Sequence, residues 1–385
     1  MTVFASIEDL RLEAQRRVPK SFFEYVEGGS YTEVTLAANR RDLEAVVLRQ
    51  RLIGDVAHRS QATTILGQRV SMPLALAPTG LCGAVHARGE MLAAHAAKDF
   101  GVPFALSTMS IASIEDVAAE VGGDFWFQLY PMREERINAS LLSRAKLAGC
   151  KVLILTIDAQ TEGIRWRDAH NGLGVPPKLT ATNIWGVLSH PKWALEQLRT
   201  PHITFGNLIG EIDGGGLAAL SEWVKKNFAP TIDRALVDWV RAHWDGKLVI
   251  KGVLDLDDAR TAVDAGADAI VVSNHGGRQL DGAASTVEAF PPIRDAVGDD
   301  VELYVDSGIR TGMDILRFLA MGARACLIGR AYMYGLGADG QAGVKCALDI
   351  LKDELDRCMA MSDVADASRV ERAVIVDRPD ALSSG

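Results

Sequence analysis

The stretch Ala269–Gly282 reads AIVVSNHGGRQLDG and carries the strongest structural signal in this 385-residue chain. Its first four residues are apolar and mostly β-branched, which is typical of a buried strand in a parallel sheet. The strand runs directly into a polar, glycine-rich turn that holds His275 and Arg278. Because loops at strand ends carry many functional residues, we expect a base and a fixed cation at the mouth of this sheet. That pair suits chemistry on a carboxylate substrate.

Seven other short apolar runs resemble this one and divide the chain at intervals. With 269–272 they make eight candidate strands, at 72–77, 103–106, 125–129, 151–157, 247–250, 302–305 and 325–328. Segments with helical spacing lie between most of them, at 86–100, 113–120, 134–148, 257–265, 286–296 and 312–321. Eight alternations of strand and helix predict an α/β fold, a (β/α)8 TIM barrel. The alternative, a doubly wound open sheet, lacks a G-x-G-x-x-G fingerprint after an early strand.

Polar or glycine-bearing residues follow nearly every candidate strand. They occur at 78–80, 107–108, 128–130, 156–158, 251–252, 273–275, 306–310 and 329–330. A single cluster of this kind is typical of a turn that ends a strand. In a barrel, however, the carboxyl ends of all strands lie on one face, where active sites are built. The clusters therefore indicate one shared site.

The last two clusters each place a glycine beside an arginine, just before a helix. They are Gly308 with Arg310 and Gly329 with Arg330. Backbone amides at helix starts and a guanidinium group bind phosphate well, and strands 7 and 8 are the usual place for this in barrels. The alternative is that both arginines form surface ion pairs. We favour a phosphorylated cofactor.

The composition excludes several classes of protein. Hydrophobic residues make up 48% of the chain and charged residues 24%, a mixture typical of a globular enzyme. The net charge of -9 is spread without a long basic run, so we expect no nucleic-acid partner. The five cysteines lie far apart without C-x-x-C spacing. We interpret them as reduced thiols, with no disulfide and no metal site.

The chain shows no targeting or membrane-spanning pattern. Its first residues lack the basic and apolar regions of a secretory signal, and no apolar run approaches ~18 residues. We therefore expect a cytoplasmic protein. A single domain, residues 1–385, accounts for the pattern, with a helical N-terminal extension at 1–70 and a C-terminal tail at 363–385.

One insertion, at residues 166–229, separates the fourth candidate strand from the fifth. Insertions of this length are uncommon inside a compact domain unless they are functional or mobile, which favours a lid or a docking segment. Apolar residues such as Trp185 and Trp193 lie near basic ones such as Lys192, a composition typical of an interfacial segment. We therefore consider peripheral contact with the inner face of the cytoplasmic membrane. An extra layer packed on the barrel, or between subunits, is the alternative.

The motifs together resemble the FMN-dependent L-2-hydroxy-acid oxidase and dehydrogenase family, which includes glycolate oxidase and mandelate dehydrogenase. The resemblance extends over nearly the whole chain. Within the family, the chain most resembles the bacterial respiratory, quinone-dependent L-lactate dehydrogenases. Besides 273–282, it is carried by FEYVEGG at 23–29, LALAPTGLCG at 74–83, WFQLY at 126–130, RDAH at 167–170, HPKWA at 190–194, KG at 251–252 and DSG at 306–308.

The resemblance implies a role for each residue around the substrate. His275 matches the active-site base, and Asp158 matches the carboxylate that supports the imidazolium. Arg278 and Arg165 match the arginines around the substrate, where a planar guanidinium group suits a carboxylate. The tyrosines of the carboxylate and hydroxyl region correspond to Tyr25 and Tyr130.

The resemblance also implies FMN as the cofactor. Lys251 matches the lysine beside flavin N1 and O2, where a fixed cation stabilises the anionic reduced flavin. Other positions match residues around the ring, the ribityl chain and the phosphate: Pro78, Thr79, Gly80, Ser107, Gln128, Thr156, Ser273, Asp306, Gly308, Arg310, Gly329 and Arg330. The phosphate site predicted from the glycine and arginine pattern thus agrees with the family.

Two departures bear on substrate and electron acceptor. Met109 stands where glycolate oxidase has tryptophan, which argues against a glycolate preference, and Gly80 stands where the oxidases tend to have alanine. The implied reaction is oxidation of L-lactate to the 2-oxo acid with transfer of electrons to quinone. A mandelate-type aryl hydroxy-acid dehydrogenase and an oxygen-using oxidase are the alternatives, and a non-redox phosphate-binding barrel is a further one. The family implies a homotetramer.

Overall fold

A closed barrel of eight parallel strands forms the centre of the chain, as a computed structural model shows. The structure describes residues 3–161, 163–173, 180–198, 204–210, 217–298 and 300–376. Parts of the predicted insertion and tail therefore lie outside the described residues. Around the barrel each strand pairs with its neighbours in chain order, and the last strand pairs with the first. The predicted (β/α)8 barrel is confirmed.

The elements follow the predicted alternation. A two-stranded hairpin precedes the barrel, so the strands run β1 Thr63–Ile65, β2 Gln68–Val70, β3 Leu74–Thr79, β4 Phe104–Ser107, β5 Trp126–Leu129, β6 Val152–Thr156, β7 Lys247–Val253, β8 Ala269–Val272, β9 Glu302–Val305 and β10 Ala325–Ile328. The helices are α1 Ile7–Arg17, α2 Lys20–Glu27, α3 Val34–Ala45, α4 Cys82–Val85, α5 Gly89–Phe100, α6 Ile114–Val121, α7 Glu135–Leu147, α8 Trp166–His170, α9 Ala181–Leu188, α10 Pro191–Gln197, α11 Leu217–Asn227, α12 Arg234–His243, α13 Leu256–Asp264, α14 Thr286–Val297, α15 Gly312–Met321 and α16 Arg330–Met361.

Strand β7 is longer than the sequence predicted, and the difference matters for the site. It continues through Lys251 to Val253, with a shift in its register against β8 between those two residues. Gly252, inside the shift, has a φ of 101°, and a Cβ there would lie 2.6 Å from Cγ of Asp158. The absence of a side chain at Gly252 thus leaves room for the Asp158 carboxylate beside the strand.

The core has two layers. Inside the barrel, buried residues such as Ala75, Ile154 and Val271 pack with Ile65 and Val70 of the hairpin. Because the hairpin also contacts the first residue of β9, through a hydrogen bond from the Leu66 amide to Glu302, it covers the amino-terminal end of the barrel. The carboxyl end is left for the site. A larger apolar cluster joins the outer strand faces to the surrounding helices.

The N-terminal extension holds the loop after β8 in place. The Ser30 amide donates to the carbonyl of Gly277, and Asp281 accepts hydrogen bonds from Thr32 and Thr35 at the start of α3. Asn39 and Asn274 exchange side-chain hydrogen bonds. The extension, helical through α3 and ending in the hairpin, is therefore part of the structure that carries the site.

The described part of the insertion is helical. Trp193 in α10 is buried, and its indole nitrogen lies 3.2 Å from the carbonyl oxygens of Ala84 and Val85. In contrast, Trp185 and Leu188 in α9 are 70% and 66% exposed. No described helix is both long and apolar enough to cross a membrane. The insertion thus buries one tryptophan against α4 and presents another to solvent.

Candidate functional site

A cavity opens at the carboxyl end of the barrel, where the sequence predicted the site. Most predicted site residues line it: Tyr25, Pro78, Thr79, Gly80, Ser107, Tyr130, Arg165, Lys251, His275, Arg278, Asp306, Gly308, Arg310, Gly329 and Arg330. Four others, Asp158, Gln128, Thr156 and Ser273, lie behind this lining and contact it through hydrogen bonds. The structure therefore brings residues from all eight strand ends together.

The imidazole of His275 lies between a carboxylate and a phenol. Its Nδ1 atom is 3.0 and 3.1 Å from the two carboxylate oxygens of Asp158, and its Nε2 atom is 3.2 Å from the hydroxyl of Tyr130. Burial raises the pKa of Asp158, but the charges of His275 and Lys251 outweigh this and hold it below its usual value. An ionised Asp158 only accepts, so the proton of the neutral imidazole lies on Nδ1. The Nε2 lone pair then faces Tyr130 and the cavity.

The backbone of the turn after β8 aims His275 into the cavity. His275 has a φ of 58°, which is uncommon outside glycine, and its amide donates to Oγ of Ser273. Gly276 follows with a φ of 67°, and a Cβ there would lie 2.6 Å from Nη1 of Arg330. The glycine therefore permits both the turn and the close approach of a guanidinium group.

Two guanidinium groups and a tyrosine ring lie together in the cavity lining. Arg278 and Arg165 lie over the ring of Tyr25, with their guanidinium carbons 4.9 and 5.7 Å from its centroid. Arg165 also pairs with Asp168 at 2.5 Å. Burial and the nearby Arg165 lower the pKa of Arg278. A bound carboxylate would relieve this excess of positive charge.

Lys251 is a buried cation at the centre of the strand ends. Its ammonium group lies 2.9 Å from Asp306 and donates to Ser273. Burial lowers the pKa of Lys251, but the charges of Asp306 and Asp158 outweigh this and raise it. Lys251 thus keeps its charge at the cavity wall.

A chain of side chains crosses the floor of the site behind the lining. Ser107 donates to the amide oxygen of Gln128, and the Gln128 nitrogen donates to Thr156. All three residues are buried. The family resemblance implies that these three residues contact the flavin ring and ribityl chain.

The two predicted phosphate loops fit a phosphorylated cofactor. Arg330 donates to the carbonyls of Val26, Gly28 and Gly276, while Arg310 lies 5.3 Å above the ring of Tyr334. Among the described residues, no carboxylate forms an ion pair with either guanidinium group. Burial, followed by the charge of Arg278, lowers the pKa of Arg330. Half-buried cations matched only by carbonyl oxygens and a ring suit a phosphate group, and a Cβ at Gly329 would approach only Thr79, at 3.6 Å.

The sequence did not identify an apolar wall on the other side of the cavity. Leu173, Phe205, Val224 and Phe228 of the insertion line it together with Met109. Phe228 also packs edge-on against Tyr130, with ring centroids 5.7 Å apart. The sequence marks Met109 as a departure from the family, but no motif marks the residues of the insertion, because their positions depend on how the insertion packs. Their signal was the length of the insertion.

Comparisons with known proteins find relatives along almost the whole chain. The family model described as FMN-dependent dehydrogenase matches residues 14–377. An L-lactate dehydrogenase of Haemophilus influenzae is 45% identical over 378 residues, which cover 97% of this chain and 99% of that protein.

Two solved structures share the fold closely. A structure described as the monotopic membrane protein (S)-mandelate dehydrogenase has a TM-score of 0.94 and 35% identity, and the match covers 98% of this chain and 100% of that one. A mandelate oxidase has a TM-score of 0.82 and 37% identity, with 96% and 98% covered.

Proposed function

This chain belongs to the FMN-dependent dehydrogenase family, and we propose that it oxidises L-lactate to the 2-oxo acid with His275 as the base. The relatives support the broader statement that it is an FMN-dependent 2-hydroxy-acid dehydrogenase. The observation that carries the finer proposal is the contact of His275 with Asp158 on one side and the cavity on the other.

Arg278, Arg165 and Tyr25 hold the substrate. The two guanidinium groups bind its carboxylate, and the Tyr25 ring keeps them in one orientation. Tyr130, whose hydroxyl lies beside His275, donates to the oxygen on the reacting carbon. These contacts place that carbon next to the Nε2 atom of His275.

His275 removes a proton from the substrate with Nε2. The resulting imidazolium is stabilised by the Asp158 carboxylate at Nδ1, which stays ionised because its pKa is lowered. Bound FMN supplies the two-electron acceptor of the reaction. The positive charge of the Lys251 ammonium group would stabilise the negative charge of the reduced cofactor.

Rapid mixing of the holoenzyme with L-lactate tests the proposal. The flavin absorption band should bleach, and the substitution His275→Asn should abolish bleaching while FMN stays bound. A wild-type flavin that no L-2-hydroxy acid reduces would overturn the proposed reaction. A fully active His275→Asn protein would overturn only the role of the base.

The apolar wall of the cavity favours a second substrate class, the aryl 2-hydroxy acids. Phe205, Val224 and Phe228 could pack against an aromatic side chain. Two structural neighbours are described as an (S)-mandelate dehydrogenase and a mandelate oxidase. The rates of flavin reduction by L-lactate and (S)-mandelate, measured on one preparation, discriminate the two substrates.

We further propose peripheral binding to a membrane, with quinone as the electron acceptor. The exposed residues Trp185, Leu188 and Leu195 of the α9–α10 pair form an apolar surface that a bilayer interface would cover. Wild-type protein should float with phospholipid vesicles, and the double variant Trp185→Asp/Leu188→Asp should not. Equal flotation would refute the surface. Turnover with a ubiquinone analogue, compared with hydrogen peroxide formed in air, tests the acceptor.

A further inference from the structure

One of the segments through which the insertion reaches the cavity is short and carries no motif. Phe205 lines the cavity, and the following turn, Gly206–Leu208, lies against the loop after β4. Within the turn Asn207 is 2% exposed and Leu208 is fully buried. The neighbouring Phe205 is therefore fixed by residues that themselves lie below the surface.

Asn207 uses its whole side-chain amide to hold this turn. Its oxygen accepts from the amide of Ile114 at 2.8 Å, at the start of α6. Its nitrogen lies 3.1 Å from the hydroxyl of Ser110 and 3.2 and 3.4 Å from the carbonyl oxygens of Ser107 and Thr108. A buried side chain satisfied on both sides binds the insertion to the loop after β4.

The backbone beside Asn207 confirms how close this contact is. The Gly206 amide donates to the carbonyl of Ser110 at 3.0 Å. A Cβ at Gly206 would lie 2.3 Å from the carbonyl oxygen of Ile111, so no larger residue fits there without displacement. Arg144 donates to the Asn207 carbonyl from α7 at 2.8 Å. The turn is held from three directions.

The loop that Asn207 binds also forms the cavity. Ser107 contacts Gln128 on the floor, and its hydroxyl accepts from the amide of Met109 at 3.1 Å. Met109 lines the cavity, as Phe205 does, and lies beside Gly80, where a Cβ would be 3.2 Å from the Cβ of Met109. The hydrogen bond from Asn207 to Ser107 joins positions 100 residues apart in the chain. Asn207 therefore links the segment that carries Phe205 to the loop that carries Met109.

We infer that Asn207 is a positioning residue for substrate selectivity. It does not line the cavity but fixes Phe205 relative to Met109, and these two side chains contact the substituent on the reacting carbon. The inference rests on the proposed function, because it assigns that wall to the side chain of a 2-hydroxy acid. It concerns the size of the acid that binds, whereas His275 and Arg278 act on groups that all such acids share.

The substitution Asn207→Asp tests this with little change in shape. The aspartate keeps one acceptor for Ile114 but places a second oxygen against the carbonyls of Ser107 and Thr108. We expect the dissociation constant of 2-oxobutanoate to rise about tenfold, because buried hydrogen bonds are lost. The constant of glyoxylate, which carries only hydrogen at that position, should change little. Perturbation of the oxidised flavin spectrum measures both without turnover.

A matched control and a second variant keep the test decisive. Gln61→Glu changes another buried amide, which donates to the Lys352 carbonyl outside the cavity lining, and should leave both constants unchanged. Phe205→Ala leaves the Asn207 contacts intact and should reproduce the selective loss for 2-oxobutanoate. If the Asn207→Asp protein does not fold, Phe205→Ala by itself tests whether this wall selects the size of the acid.

The outcomes separate this inference from the proposed function. Equal changes for the two acids, or no change, in the folded Asn207→Asp protein or in Phe205→Ala would overturn the positioning role. If the wild-type holoenzyme binds neither acid and no hydroxy acid reduces its flavin, the proposed function itself fails.

Discussion

Individual residues in this site depend on charged partners for their state. The pKa of Asp158 is held down by His275 and Lys251 although burial opposes this. Lys251 in turn keeps its charge through Asp306 and Asp158. The carboxylates and cations therefore form a connected set, and removing one member changes the others.

Asp158→Asn should slow flavin reduction by about a hundredfold or more, because the imidazolium of His275 loses its counter-charge. The amide keeps the size of the side chain, so the affinity for a 2-oxo acid should stay close to that of the wild-type protein. The limiting rate of flavin bleaching at saturating L-lactate measures the effect. A rate near the wild-type value would show that Asp158 does not support the base.

Lys251→Met should lower the free energy of unfolding by about 3–5 kcal/mol, because it leaves the buried Asp306 without its cation. Urea unfolding of the protein freed of flavin gives this value without interference from the cofactor. The double variant Lys251→Met/Asp306→Asn should recover most of the loss. A double variant as unstable as Lys251→Met would contradict the pairing.

At the scale of elements, helix α3 takes its N-terminal cap from a distant segment. Its N-cap residue Glu33 has a φ of 64° and makes no side-chain capping bond. Asp281 supplies the acceptors instead, for the amides of Thr32 and Thr35. The cap joins the extension to the loop that carries His275, so the helix and this loop stabilise each other.

Asp281→Asn should cost about 1 kcal/mol of stability at pH 7 through this cap. Burial raises the pKa of Asp281, but hydrogen bonds from Thr35 and Thr32 outweigh this and hold it below its ordinary value of 3.8. The carboxylate's contribution is therefore complete above pH 3.8 and is lost as the pH falls through the lowered value. Urea unfolding at several pH values should show a constant difference from the wild type near neutrality and a smaller one in acid. A difference that grows on acidification would contradict the sign.

At the scale of the whole molecule, the site is positive although the chain is negative. The net charge is -9, yet Arg165, Arg278, Lys251 and Lys225 line one cavity. Lys225 comes from α11 of the insertion and is exposed, with no ion pair among the described residues. A local positive field in an acidic protein attracts a carboxylate substrate to the cavity.

Lys225→Gln should lower kcat/KM for L-lactate about twofold at low ionic strength, and added salt should remove the difference. Lys226→Gln is the matched control, since that lysine is paired with Glu222 and lies outside the cavity lining. Steady-state rates over a range of salt concentrations measure both variants. The same loss in Lys226→Gln would mean that overall charge, rather than the position of Lys225, is responsible.

The sequence alone determined the barrel, because apolar runs and helical spacing are local patterns that repeat eight times. It also placed the turn with His275 and the two loops predicted to bind phosphate at the carboxyl face, since glycines and charged residues directly after strands mark that face. The roles of Asp158 and Lys251 came from the family resemblance and remain predictions that the geometry supports.

Only the tertiary structure decided which distant segments meet at the cavity. The register shift at Gly252, the cap of α3 by Asp281 and the placing of Phe205 by Asn207 each join residues far apart in the chain. Such contacts leave no periodic trace, because they depend on how elements pack rather than on neighbouring residues. From its length and composition the insertion is predicted to be a lid or docking segment, and its packing adds that Phe205, Val224 and Phe228 line the cavity.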